Sequence, residues 1–222
     1  GMILEQRYEG HAFPPYLYDG DAVMSVKLIN HDQQDALQEA LLFLPVPDIQ
    51  IQRTLDRLGV NGIHDVELQV DDFLRFEPLM ETLPLSQESL YTVNAMCAVL
   101  APMDQAEQQK FCAAAELARP KNAQQVQRLA EAMDLFTFIP DVRTPEDYGR
   151  YMIQKTGHYE FDDNLEDYYD YLRFGQNRVK QELGAFTWEG YIAYYGELSL
   201  DEVMYGVPCQ RRSGLQMGGM SQ

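Results

Sequence analysis

LLFLPVPDIQIQRTLDRLGVNGIHDVELQV, running from Leu41 to Val70, is the stretch on which the fold turns. Leu41 to Leu44 is a short apolar run that Pro45 stops, which is the pattern of a strand. From Asp48 onward Ile51, Leu55 and Leu58 recur at spacings of four and three, and Gly59 stands just beyond the last of them, so a one-faced helix is expected between them. Asn61-Gly62 then turns the chain, and Val66, Leu68 and Val70 alternate with Glu67 and Gln69 as in a half-buried strand. Upstream, Val23 to Ile29 is a second apolar and β-branched run, joined to Leu41 by polar HDQQDALQEA. Residues 22–72 therefore read as a small α+β module.

Outward from that unit the pattern changes twice. Residues 1–21 carry two prolines, several tyrosines and no clear period, and read as an irregular amino-terminal arm. From 73 to 134 strand signals give way to helical ones: Ser86 is a candidate cap for a helix bearing Leu90, Val93, Cys97 and Leu100; Pro102 starts another through Phe111, Cys112 and Leu117; Asn122 starts a third with Val126, Leu129 and Met133. Residues 135–207 return to mixed structure. Leu135 to Ile139 is an apolar run ended by Pro140, Thr144-Pro145-Glu146-Asp147 is a helix start, and a helix to about Lys155 is followed by another near Leu165 to Leu172. Ala185 to Thr187, Trp188-Glu189-Gly190 and Tyr191 to Tyr195 form a hairpin pattern, and residues 208–222 are a tail with few reasons to order. The expected fold is α+β, an elongated chain of three small modules: amino-terminal α+β, central helical, and carboxy-terminal α+β with an acidic helix and hairpin.

Charge narrows the function. The 222 residues hold 35 acids against 17 Lys and Arg, a formal net charge of -18. Hydrophobic residues at 45% are ordinary for a folded chain, so the imbalance marks an acidic globular surface rather than disorder. Such a field repels nucleic acid and anionic membrane, and no apolar run approaches the roughly 20 residues of a membrane span. Cys97, Cys112 and Cys209 lack zinc spacing; the first two read as buried apolar thiols, and a reducing cytoplasm is the expected compartment. His11, His31, His64 and His158 are scattered, and no phosphate loop, GxGxxG or GxSxG occurs, so no catalytic residue, metal or cofactor is expected. An enzyme would need a site assembled from His64, His158 and nearby acids.

One segment stands apart: HYEFDDNLEDYYDYL, His158 to Leu172, with Glu160, Asp162, Asp163, Glu166, Asp167 and Asp170 and no Lys or Arg. If Asn164 opens its helix, Leu165, Tyr168, Tyr169 and Leu172 make an apolar stripe, Glu166, Asp167 and Asp170 point away, and Asp162 and Asp163 sit at the favourable end of the helix dipole. A solvated face accounts for the pattern as well as a binding face does. The EF-hand order is absent, which sets calcium aside.

These residues carry a resemblance. TGHYEFDDNLEDYYDYLRFG, Thr156 to Gly175, is similar to the ArdA antirestriction family pattern of a TG turn, an acidic linker and L-x-x-Y-x-D-Y-x-x-[YF]-G, with Leu165, Tyr168, Asp170, Tyr171, Phe174 and Gly175 at the matching positions. Ile63-His64-Asp65 with Glu67-Leu68 resembles the family's IHDYEL strand, and LFLPVPDIQIQRTLDRLG its preceding strand, proline and helix. The likeness spans roughly residues 23 to 196. The chain departs after Gly175, where the family continues with Arg-Asp and here Gln176, Asn177, Arg178 and Lys180 follow. The resemblance implies a usually dimeric DNA mimic from mobile genetic elements that occupies the DNA groove of type I restriction-modification enzymes, with the six acids of the segment 160–170 as the partner-binding residues. The acids are spread along the chain, 9 in residues 1–60, 12 in 61–140 and 14 in 141–222, as an extended charged ridge requires. The alternative is an acidic accessory or scaffold protein of a mobile element that binds another protein.

Overall fold

The apolar, β-branched run from Val23 to Ile29 supplies the central strand of the first sheet. In the computed structural model, which describes residues 20–32, 38–156, 165–182 and 184–206, β1 (Met24–Ile29) pairs antiparallel with both β2 (Glu39–Leu44) and β3 (Glu67–Phe73), in the order β2-β1-β3. Val26 lies opposite Leu42 and Val70, and Leu28 opposite Ala40 and Leu68, so one face of the sheet is apolar. On the other face Lys27 stands between Glu39 at 3.6 Å and Asp71 at 3.7 Å. The register shifts between Ser25 and Val26, which leaves Asp71 as the extra residue of a bulge in β3.

α1 (Asp48–Arg57) follows the cis Leu44–Pro45 peptide, and Asp48 is its first helical residue, favourable there against the helix dipole. Ile51 and Leu55 are buried on its inner side, and the Asn30 amide donates to the Leu58 carbonyl at 2.8 Å where the helix ends. Gly59 follows with φ 74°, the left-handed turn expected of it.

Beyond β3 come the short α2 (Glu77–Met80) and three longer helices, α3 (Leu90–Leu100), α4 (Gln105–Ala118) and α5 (Ala123–Glu131). Two expected starts are corrected. Ser86 lies in a 3-10 turn, Leu85–Gln87, and α3 begins after Ser89; α4 begins after Asp104, whose carboxylate accepts the Glu107 N–H at 2.8 Å, and not at Pro102. A side-chain oxygen that meets an orphan N–H fixes a helix start more firmly than a proline that merely tolerates the position. Asn122 caps α5 as expected, accepting the Gln125 N–H at 2.9 Å, and Glu88 reinforces that end by accepting the Ala123 N–H.

β4 (Phe136–Pro140), β5 (Gly184–Phe186) and β6 (Gly190–Tyr194) form a second antiparallel sheet in the order β4-β6-β5, with the expected hairpin between β5 and β6. α4 packs on β4 and β6, and α5 packs on α3 and on a helix the sequence reading missed. That helix, α8 (Leu200–Tyr205), is opened by a reciprocal Ser199 and Glu202 capping box, and Arg128 donates to the Met204 carbonyl at 3.0 Å near its end. Between β4 and β5 lie α6 (Pro145–Thr156) and α7 (Leu165–Glu182). The fold is α+β. Buried side chains from Ala22 to Leu129 make one cluster that also takes in Phe136, Ile192 and Met204. Cys97 is inside it, its thiol pushed far up by burial; Cys112, expected to be buried, is half-buried, and its thiol is pushed up to about 11 by burial first and by Glu189 second. No described helix is long and apolar enough to cross a membrane.

β2 is tied to α3 by a single side chain. Buried Asn94 accepts the Val46 N–H at 2.9 Å and donates to the Val46 carbonyl at 2.8 Å, satisfying both main-chain groups of one residue. Asn94→Ala is expected to lower stability by about 2–4 kcal/mol, because two buried polar groups lose their partner together. Urea unfolding of the substituted and unsubstituted chains measures the difference.

Candidate functional site

The acidic helix is positioned by its contact with α6. The Thr144 hydroxyl accepts the Asp147 N–H at 3.1 Å and starts α6 where the sequence places it, with Glu146 paired to Arg150 at 2.7 Å on its surface. α7 runs past the expected end at Leu172 to Glu182. Gly175 does not break it, because the glycine serves the helix–helix contact: a Cβ there would lie 1.7 Å from the Pro145 carbonyl oxygen and 3.1 Å from the Gly149 nitrogen. The glycine of the Phe174-Gly175 pattern is thus a packing contact.

The far end of α7 is held by a second device. Glu182 accepts the hydroxyls of Tyr148 from α6 at 2.6 Å and Tyr191 from β6 at 2.9 Å, while its other oxygen meets Arg178 at 3.2 Å. The two tyrosine rings stack with centroids 4.4 Å apart. Gly184 leaves room for the Tyr191 hydroxyl, which a Cβ at that position would meet at 1.9 Å. Burial first, and the neighbouring carboxylate second, raise both phenols, Tyr148 to about 12.

Of the six acids singled out in the sequence, Glu160, Asp162 and Asp163 lie outside the described residues. Glu166, Asp167 and Asp170 are in the first turns of α7. At 3.6 residues per turn these three positions fall within one arc of about 100°, opposite positions 165, 168, 169 and 172. Within the basic cluster that follows, Arg178 is half-buried and paired with Glu182, and Arg173 and Lys180 are exposed.

A second acidic run, not singled out in the sequence, is fully visible. Between Arg57 and Lys110 the only Lys or Arg is Arg75, and its guanidinium turns inward to the carbonyls of Ala101 at 2.8 Å and Met103 at 2.6 Å. Asp65, Glu67, Asp71, Asp72, Glu77 and Glu81 are all exposed along β3 and α2. The Glu67 carboxyl is held below the usual range by the Gln69 amide and then by His31, so it stays ionised. The signal was there in the sequence as a long stretch with one base, but alternation within β3 hid it behind a core reading. Every Asp and Glu whose burial is described is exposed or half-buried. His64 is exposed in a 3-10 turn, His158 lies outside the described residues, and among the described residues no group of His, Cys, Asp and Glu converges to hold a metal ion.

A family model described as "Antirestriction protein (ArdA)" matches residues 36–193, which takes in the second acidic run and both anchored helices. No curated protein matches the chain.

Two outcomes follow from the α6–α7 contact. Gly175→Ala must force the helices apart and is expected to lower stability by about 3 kcal/mol, at the upper end for an overpacked site, as read by thermal unfolding. The Tyr148 hydroxyl must keep its proton to donate, so with its pKa raised from 10 to about 12 its contribution is present below pH 10 and is lost as pH rises towards 12. Urea midpoints of the unsubstituted chain and Tyr148→Phe should therefore converge across that window; parallel curves would mean that the hydroxyl contributes nothing there.

Proposed function

Given that the chain belongs to the ArdA family of antirestriction proteins, we propose that it inhibits type I restriction-modification enzymes by presenting carboxylates where those enzymes bind DNA phosphates. The observation that carries this reading is the placement of charge: with a net charge of -18, no carboxylate whose burial is described lies in the core, and the exposed acids fall in runs along regular elements. B-DNA carries about one negative charge per 1.7 Å of axis, so a competitor needs many carboxylates on a firm, continuous support. α7, with 18 residues, supplies a support about 27 Å long. The partner-binding residues of this proposal are Glu160, Asp162, Asp163, Glu166, Asp167 and Asp170, with Glu67, Asp71, Asp72, Glu77 and Glu81 as a second face. Surface charges placed this way act on encounter and selectivity, with each exposed pair contributing modestly.

The test is inhibition of a purified type I restriction enzyme cutting unmodified DNA, with the protein titrated at low and moderate salt. Stoichiometric inhibition that weakens with salt is expected. Replacing the six acids of 160–170 by their amides should weaken inhibition by roughly two orders of magnitude, at about 0.5 kcal/mol for each lost charge. Circular dichroism should be unchanged. Full inhibition after both acidic runs have been neutralised would sink the mimicry and leave a protein-binding role of another kind.

A further inference from the structure

An apolar groove of about 980 Å³ lies between the end of β3 with α2, the side of α4 and the turn of the β5–β6 hairpin. Leu74, Phe76, Leu79, Cys112 and Trp188 line it, at the upper end of the size range of small-ligand pockets. Trp188, the only tryptophan in the chain, is 79% exposed, although its main chain is held on both sides. The Arg143 Nε donates to its carbonyl at 2.7 Å, and its N–H donates to Glu116 at 3.4 Å. The turn is fixed and the indole is left uncovered, which is costly for the largest apolar side chain unless something meets it.

We infer that the chain's own segment Phe13-Pro14-Pro15-Tyr16-Leu17-Tyr18 docks in this groove and packs on Trp188. The path of the chain favours this occupant. The Val23 carbonyl accepts the N–H groups of Leu74 at 2.9 Å and Arg75 at 3.0 Å, both on the groove's rim. Gly20 therefore lies within roughly 15 Å of that rim even with the chain fully extended, and Phe13 can reach roughly 24 Å beyond Gly20, so the segment can reach the groove. The chemistry also matches. Two prolines restrict the free segment and lower the ordering cost of docking, and flanking aromatics are the usual complement of an aromatic-lined groove. A tethered segment also meets the groove at a high effective concentration, which a separate partner does not. Arg119 and Lys121 edge the groove, form no ion pair among the described residues, and can receive Glu9 or Asp19.

Trp188 is its own reporter. In the full chain, emission at shorter wavelength and weak acrylamide quenching are expected; Phe13→Ser, Tyr16→Ser and Leu17→Ser together should move emission to longer wavelength and raise the quenching constant, with circular dichroism unchanged. Equal quenching of the two chains would overturn the proposal. So would a shift that appears only as protein concentration rises, since the occupant would then be a second copy. Leu74→Asp, on the exposed rim, gives an independent reading: chymotrypsin should cut between residues 13 and 18 faster than in the unsubstituted chain, and an unchanged rate overturns the docking even if the first variant misfolds.

Discussion

A carboxylate taken out of water without a partner costs several kcal/mol, and with 35 acids against 17 bases this chain cannot pair them all. Every acid whose burial is described therefore stays at or near the surface, and the core is assembled from what remains: alternate apolar residues of β1, Ala40 to Leu44 of β2, one side of α1, α3 and α5, and the small Ala113, Ala114 and Ala115 of α4. Some of the bases also tie the fold together. Arg75 and Arg128 donate to main-chain carbonyls of distant elements, and Arg143 divides its guanidinium between the Trp188 carbonyl and Asp141. Three of the few cations are thus also structural ties, while the net charge stays at -18.

That constraint also explains how α7 is held. A helix whose first half is crowded with like charges gains little from its own side-chain pairs, so its placement depends on tertiary contacts. Gly175 supplies one by letting the backbone of α7 touch that of α6. Glu182 supplies the other, joining α6 and β6 through two tyrosine hydroxyls and drawing Arg178 inward. Both anchors lie in the second half of the helix, beyond its acidic turns. The Arg178 that seemed to interrupt the acidic sequence is largely absorbed into this network.

Much of the fold was legible because hydrophobic periodicity is local. β1, β2, α1, β3, the Thr144 start of α6 and the hairpin follow from spacing alone. Errors arose where a local signal had two readings. Ser86 and Ser89 are equally good caps in isolation, and only burial of Leu85 and Leu90 decides between them. The acidic helix was read as ending near Leu172, and only the fold shows that Gly175 lies inside it with Pro145 against it. α8 was missed although Ser199 and Glu202 form a capping box, because six residues are too few to show a period. The site was less legible still. The turn containing Trp188 was read, but not that its indole stands over a groove lined largely by residues of β3, α2 and α4, far away in sequence.

Rigidity connects the fold to the proposed mimicry. Phosphates in a duplex are held at fixed spacing, so a competitor with carboxylates on loose loops would have to order them at each encounter, at a cost of about 0.5–1.5 kcal/mol per immobilised side chain. Here the second acidic run is carried by a strand paired to β1 and a short helix directly behind it, with its bulge at Asp71 locked to Ser25 at 2.8 Å and to Lys27. Lys27 faces both Glu39 and Asp71, so one cation steadies two carboxylates and leaves the group net negative. A fully paired surface would be steadier still but would present no field, and an unpaired one would repel itself apart. A sparse set of cations, with Lys27 shared between two carboxylates and Arg75 turned inward to main-chain carbonyls, meets both demands along this run.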